Sequence, residues 1–450
     1  MFDTTIAAIS TGFVKSGLGT VRLSGTDAKA IAKTLLENKY KKKFAGLSGY
    51  QAMYAELHDD GVFLDEAVLL YFCSPKSYTG EDVVEISCHG GLYVLKRILR
   101  MLINNGAAAA RPGEFTERAF LNGKLDLTKA ESVIDLINAN TEMSHAAASG
   151  MMNGRLFKEI KEISNTLKGY AAEIAAWVDF PEDDLSELNR PELKAGILDI
   201  ITRTEKLISG YDSGIIARNG VKIVLAGAPN VGKSTLMNLL SGFDRSIVTD
   251  EAGTTRDTVE EQVDIDGIPA VLIDTAGLRE TKTEAERLGV ERTKKSIAQS
   301  RLALFVFDGT NEIPVLGEID GKPVIPVVNK ADRGITAPLQ LIREKYGEPV
   351  IISALTGEGA GALKKEIKKK LKFCENDVYN SVCLNERQHG KVSELLTILN
   401  DTVSELDRNV TADAIGVNIF ECLALLGEIT GESASEEIIA EVFKRFCVGK

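Results

Sequence analysis

The stretch Gly227, Ala228, Pro229, Asn230, Val231, Gly232, Lys233, Ser234 has the pattern GxxxxGKS. Backbone amides of such a loop cradle phosphates, its lysine reaches the β and γ groups, and its hydroxyl ligates magnesium. Asn230, Val231, Gly232, Lys233, Ser234 and the following Thr235 are therefore expected at a nucleotide's phosphates, with Lys233 catalytic and Ser234 on Mg2+. Alone, the pattern says only that a nucleotide binds. Asn329, Lys330, Ala331 and Asp332 narrow it. A carboxylate such as Asp332 accepts two hydrogen bonds from N1 and the exocyclic amine of guanine, whereas adenine offers no matching donor pair. GTP is the expected nucleotide.

Working outward, Val221 to Ala226, Ala270 to Ile273, Leu302 to Phe307, Val324 to Val328 and Val350 to Ile352 are short apolar runs. Each ends at a polar or glycine motif, as buried parallel strands do. Gly227, Asp274, Asp308, Asn329 and Ser353 then line one edge of a doubly wound sheet, where ligands of such sheets bind. Ser353, Ala354 and Leu355 complete the base side. Asp274 with Thr275, Ala276 and Gly277 supplies a carboxylate for the magnesium shell and an amide for the γ-phosphate. Gly253, Thr254, Thr255, Arg256 and Asp257 read as a first switch, with Thr255 the second magnesium ligand and a catalytic candidate. Leu278 stands where Ras-like proteins carry a water-orienting glutamine. An aliphatic side chain cannot do that, so the water-positioning group and the compensating charge must come from elsewhere. The acidic stretch Glu280 to Arg292, with Glu284, Glu286 and Glu291, reads from its residues as a solvated switch helix.

A chain of 450 residues, 44% of them hydrophobic, suits about three domains of roughly 150 residues. No apolar run long enough for a membrane span occurs, and Met1 to Arg22 lacks the features of a secretory signal, so a cytoplasmic protein is expected. Six cysteines without a CxxC disfavour a zinc framework or a disulfide scaffold. A formal charge of −12 disfavours a free-standing clamp on nucleic acid. Any RNA is then held with a partner's help. The basic runs Lys39 to Lys43 and Lys364 to Lys372 read as solvated faces.

The regions on either side of the GTPase differ in pattern. Residues 1–118 alternate as an α+β module, with strands at Thr4 to Ile9, Thr20 to Leu23, Gln51 to Leu57, Ala67 to Phe72 and Val83 to His89. Helices are expected at Ala28 to Leu36 and Leu92 to Ile103. Helical periodicity fills 119–218 and returns over 374–450, so a GTPase at 219–373 is inserted into an all-α domain made of two segments. Thr128 and Glu131 have the spacing of a capping box. Glu81, Val83 and Glu85 are expected on one strand face, and the polar run Ala110 to Arg118 is either loop polarity or part of a site. Cys447, four residues past Phe443, is expected as a buried thiol at the end of a helical stripe.

The segments GEDVVEISCHGG from Gly80, ARPGEFTERAFLNGKLDLTKAE from Ala110, DFPEDD from Asp179, GEITGE from Gly427 and the FCVGK ending, together with the GTPase motifs, resemble the MnmE (TrmE) family of tRNA modification GTPases. The resemblance implies a homodimer built on the N-terminal domains. It implies a partner, the FAD protein MnmG (GidA), with which C5 of the wobble uridine of tRNA receives an aminomethyl or carboxymethylaminomethyl group. It also implies a reduced folate, 5-formyl- or 5,10-methylene-tetrahydrofolate, at Arg22, Glu85, Lys124 and Lys450. Nucleotide contacts extend over Thr249, Asp250, Glu251, Ala252, Gly253, Thr254 and Thr255, and a K+ site maps to Asn230, Thr249, Glu251 and Thr254. Glu286 matches the family's catalytic glutamate, active once two GTPase domains meet. One departure is visible: the family's proline- and glycine-rich first loop is replaced here by Gly12, Phe13, Val14, Lys15, Ser16 and Gly17. The competing reading is a ribosome-assembly or regulatory switch, which has no use for a folate site.

Overall fold

The computed structural model describes residues 4–179, 189–242, 260–274, 300–311, 323–371 and 382–450. The chain divides into two compact units, one of Met1–Ile134, Leu156–Asn189 and Ser404–Lys450, the other of Asp135–Arg155 and Arg190–Val403.

The first unit is built on β1 (Ile6–Ile9), β2 (Gly19–Ser24), β3 (Gln51–Asp59), β4 (Val62–Phe72), β5 (Val83–Cys88) and β6 (Ala108–Ala109), in the order β3-β4-β5-β2-β1-β6. All neighbours are antiparallel except β1 and β6. Side chains alternate between sheet faces. One face, with Ala7, Val21, Leu23, Val84, Ile86 and Leu69, is covered by Leu95, Ile98 and Leu102 of the helix Leu92–Asn104 and by Ile31 of Ala28–Thr34. Burying each such aliphatic side chain is worth about 2 kcal/mol. On the other face β2–β5 register sets Arg22 opposite Glu85.

Of the expected Glu81–Val83–Glu85 face, Val83 and Glu85 share one side of β5, opposite Ser24 and Arg22 of β2, while Glu81 lies just ahead of the strand. Strand β5 begins at Val83, which is itself buried, and Gly80 (φ 80°) turns the chain just before it. Glu81 accepts from Ser24 Oγ at 2.7 Å and from Arg118 at 3.1 Å. Arg118 is fully buried on the helix Glu114–Leu121 and also donates to Glu114 Oε1 (2.9 Å) and Thr4 O (2.8 Å). Much of the polarity of the ARPGEFTER segment is thus an internal ion network, because buried charges require partners.

Two local expectations are corrected. The helix Leu127–Asn138 is capped by Asp126, whose Oδ1 accepts from the Lys129 amide at 3.0 Å; Thr128 lies inside the first turn, bonded to that same carboxylate. A working capping box occurs at Thr141 and Ser144 instead, ahead of the helix Glu142–Met152. Cys447 is exposed rather than buried. Its helix ends at Lys444, so the i+4 relation to Phe443 no longer holds, and the Cys447 carbonyl accepts from Gly113 N at 3.3 Å. The helices Arg155–Asp179 and Ala412–Thr430 of this unit come from the two helical segments, and Lys161 on the first pairs at 2.9 Å with Glu432, just past the end of the second.

The second unit carries β7 (Val221–Ala226), β8 (Glu260–Ile265), β9 (Ile268–Asp274), β10 (Leu302–Asp308), β11 (Val324–Asn329) and β12 (Val350–Ile351), ordered β12-β11-β10-β7-β9-β8. All pairs are parallel except β8 with β9, a hairpin that apolar runs alone did not announce. β7 and β10 are apolar almost throughout because both faces are covered. One face holds Ile223, Leu225 and Leu304, and Met143, Ala147, Ile216 and Ala217 from helices before the GTPase motifs join this core. The other holds Val224, Phe305 and Ile342. Tyr211 stacks on His389 with centroids 3.6 Å apart, so the helical segments before and after the sheet also meet here. The architecture is an α+β N-terminal domain, an all-α domain from two chain segments and an α/β P-loop GTPase.

Candidate functional site

The phosphate loop leaves β7 at Ala226 and enters the helix Lys233–Ser241. Two glycines are sterically required. A Cβ on Gly227 would strike the Val306 carbonyl, and Gly232 has φ 95° and stands where a Cβ would strike Asn329 Nδ2. Lys233 is 5% exposed, and its ammonium donates to Gly227 O at 2.8 Å and Ala228 O at 2.9 Å. The cation therefore lies inside the loop that amide dipoles make anion-binding. At the loop's far end Ser234 Oγ donates to Asp274 Oδ2 over 3.4 Å, so a hydroxyl and a carboxylate face one point, a donor pair that suits a hard divalent cation.

The base-side motif is tied to this loop by side chains. Asn329, 2% exposed, donates from Nδ2 to Val231 O (2.9 Å) and accepts at Oδ1 from the Ala354 amide (2.8 Å). Lys330 donates to Asn230 O at 2.8 Å and to Asp308 Oδ2 at 2.6 Å. Burial pushes the Asp308 carboxyl up, but the Lys330 ammonium and the Thr310 amide and hydroxyl outweigh it and hold it at about 2. Asp332 is exposed, with Oδ1 accepting from Ser353 Oγ at 2.6 Å, so its carboxylate is oriented while its surface stays open. Ala331 N donates to Ile352 O at 3.1 Å, Ala354 is buried and Leu355 is 74% exposed.

In the first unit Arg22 Nε donates to Glu85 Oε1 at 2.9 Å, and its guanidinium lies over the rings of Tyr78 (5.8 Å) and Phe115 (5.6 Å). The half-buried Lys450 is close enough for both charges to act on it. Burial first and then Arg22 pull its ammonium below the ordinary lysine range, while Glu85 pushes it back up. Gly449, at φ 97°, packs onto the Ile9 carbonyl and brings Lys450 there. Lys124 is exposed and donates to Pro75 O at 3.0 Å; its stem lies against Gly80. The replaced first loop is held where Ser16 N donates to Gly90 O (3.3 Å), and Phe13, Val14 and Leu18 are exposed.

A family profile described as "MnmE helical domain" matches residues 127–447, and one described as "GTP-binding protein TrmE N-terminus" matches residues 5–124. The chain belongs to the MnmE family. Proteins named tRNA modification GTPase MnmE are similar over their whole length: that of Caldicellulosiruptor saccharolyticus is 38% identical over 457 residues, covering 100% of both chains. That of Aquifex aeolicus is 40% identical over 455 residues, covering 99% of each. Among solved structures, Aquifex aeolicus Era with GDP and aluminium fluoride is 30% identical, with a TM-score of 0.26, over 39% of this chain and 66% of that one. As an MnmE family member the chain is a GTP hydrolase of tRNA modification. No helix among the described residues is long and apolar enough to cross a membrane.

Of the MnmE-type residues anticipated from sequence, the structure brings Asn230, Val231, Gly232, Lys233, Ser234, Asp274, Asn329 and Lys330 to one edge, with Thr235 exposed on the helix that follows the loop. Arg22 and Glu85 pair, with Lys450 within electrostatic reach of both, and Lys124 donates to Pro75 O. Thr249, Asp250, Glu251, Ala252, Gly253, Thr254, Thr255, Thr275, Ala276, Gly277, Leu278 and Glu286 lie outside the described residues. Asp308 was read only as a strand end, yet it anchors Lys330; an aspartate closing a strand directly opposite Asn329, the residue before Lys330, was the available signal. Tyr78 and Phe115 gave no sequence signal, since the aromatic shelf under Arg22 comes from a loop and a helix far apart in the chain.

Proposed function

We propose that this GTPase works as a homodimer joined through its N-terminal domains. With an FAD-containing MnmG (GidA) partner it drives (carboxymethyl)aminomethylation at C5 of the tRNA wobble uridine, using a reduced-folate one-carbon unit. The domains run 1–118 (dimerisation and folate), 119–218 with 374–450 (helical) and 219–373 (GTPase), in the cytoplasm. The observation that carries the reading is the Arg22–Glu85 pair over the Tyr78–Phe115 shelf, with Lys450, from a distant part of the sequence, within electrostatic reach of both. A carboxylate there accepts from the amide and amine edge of a pterin, the cations suit carboxylates of a folate tail, and the rings supply an apolar floor. A switch protein has no need of that set. Lys124 closes the site from the Pro75–Gly80 side.

At the nucleotide edge, Asp332 reads guanine with Asn329, Lys330 and Ala331 holding its loop, and Ser353, Ala354 and Leu355 flank the base. Lys233 neutralises the β- and γ-phosphates. Ser234 and Thr255 hold Mg2+, with Asp274 bonding its shell, and Thr275, Ala276 and Gly277 close on the γ-phosphate. Asn230, Thr249, Glu251 and Thr254 hold K+, which supplies charge that an arginine finger supplies elsewhere. Thr249 to Thr255 also line the nucleotide. Glu286 orients the attacking water once two GTPase domains pair, which makes good the missing glutamine at Leu278.

Mass spectrometry of tRNA nucleosides from cells lacking the protein tests the reading: the modified wobble uridine should vanish. Titration with 5-formyl-tetrahydrofolate should saturate, and hydrolysis should be faster in K+ than in Na+. Unchanged wobble uridines would abandon the tRNA reading, absent folate binding its one-carbon step, and equal rates in the two salts its cation.

A further inference from the structure

Away from both sites, the lysine-rich helix Asn38–Ala45 begins beside the edge strand β3. Its first lysine, though exposed, is paired twice. Lys39 Nζ lies 2.8 Å from Glu37 Oε2 and 3.1 Å from Glu56 Oε1, and Tyr40 OH donates to the same Glu56 oxygen at 3.1 Å. His58 sits two residues beyond Glu56 on the same strand face. Its Nδ1 is sealed from solvent and has no hydrogen-bond partner in the structure. Ligand atoms of Glu37, Glu56 and His58 all lie within 4.8 Å of one another.

We propose that Glu37, Glu56 and His58 form a binding site for a zinc-class divalent cation, in which the Lys39 ammonium is a displaceable occupant. One imidazole nitrogen and two carboxylates form a donor set that zinc accepts at about 2.0–2.2 Å, and small side-chain rotations contract the cluster to that size. The backbone already holds the donors in place. Leu36 bridges to Leu57, and His58 N donates to Leu35 O at 3.0 Å, fixing the approach to the helix against β3. Two carboxylates against one ammonium leave the cluster a net acceptor of positive charge. Lys39, 53% exposed, can swing out without leaving a buried cavity. A bound ion then cross-links the start of the helix to the edge of the sheet.

Zinc titration of the full-length protein tests this, read by calorimetry and by the ring protons of its four histidines. One equivalent should shift the resonance that disappears in His58→Gln. Glu37→Gln and Glu56→Gln should each weaken binding about tenfold or more, and Lys39→Met, which removes the competing ammonium, should tighten it about tenfold. Circular dichroism checks that each variant is folded. Zinc taken up with the His58 resonance unmoved, as binding at thiols or at the phosphate loop would give, overturns the site. So does an affinity unchanged in Lys39→Met.

Discussion

In the nucleotide cradle Lys330 reaches Asn230 O at 2.8 Å and Asp308 at 2.6 Å, while on the first sheet Arg22 meets Glu85 at 2.8 Å. The distances are alike, but the scaffolds differ. The cradle is made of backbone at strand ends, with Asn329 fastening two loops through opposite ends of one amide. The Arg22 site is made of side chains brought together by strand register, an aromatic shelf and a residue from the far end of the chain. Removing a fastener should damage the cradle's fold and its chemistry together, whereas the sheet site should lose ligand and keep its fold.

The largest effect expected is Glu286→Ala. Turnover should fall on the order of 10²–10⁴-fold with GTP affinity kept, measured by steady-state hydrolysis and fluorescent-nucleotide binding. Retained turnover would move the water-positioning role to another residue. Next comes Arg118→Met, which strips the partner from buried Glu114 and half-buried Glu81 and should cost about 3–5 kcal/mol in chemical denaturation. A loss below about 1 kcal/mol would mean that water reaches these carboxylates. Asn329→Ala leaves a buried carbonyl and a buried amide without their partner, and should cost about 1–3 kcal/mol along with GTP affinity. Stability lost with unchanged affinity would break the claim that fold and chemistry fail together there.

Arg22→Ala is the counterpart on the sheet. Stability should change by about 1 kcal/mol or less, as for an ion pair open to water, while folate binding weakens about tenfold or more. The smallest effect is a matter of pH. The Asp308 carboxyl is held at about 2 against an ordinary 3.8, so its pairing stabilises the fold above about pH 4 and that contribution is lost as pH falls through 2. In Lys330→Met burial is less opposed and the carboxyl moves up. The acid-side loss between pH 4 and 2 should shrink in a titration of melting temperature, and an unaltered profile would show that Thr310 alone holds the carboxyl down.

This contrast also explains what the sequence made legible. GxxxxGKS, the aspartate at the end of β9 and NKAD were readable because backbone chemistry at a strand end needs fixed residue types at fixed spacing. Apart from β6 and β8, the strands of both sheets fell close to their apolar runs for the same local reason. Glu81 was counted into β5 because alternation was run back past Val83, where the strand begins, and Cys447 was misplaced because helical spacing was carried past the end of its helix. Arg22, Glu85 and Lys450 could be grouped only by family resemblance, since no local spacing links them. The Glu37–Glu56–His58 cluster was hidden likewise, behind a lysine run that looked like ordinary surface.

Met143 and Ala147, on a helix some distance ahead of the phosphate loop, share the core beneath β7 and β9 with Ile216 and Ala217. A fragment excised at residue 219 would leave that face of the sheet bare and greasy. It should bind the dye ANS and clump on concentration, whereas a polypeptide that also carries the 142–152 helix, joined or added in trans, should stay clear in the tube.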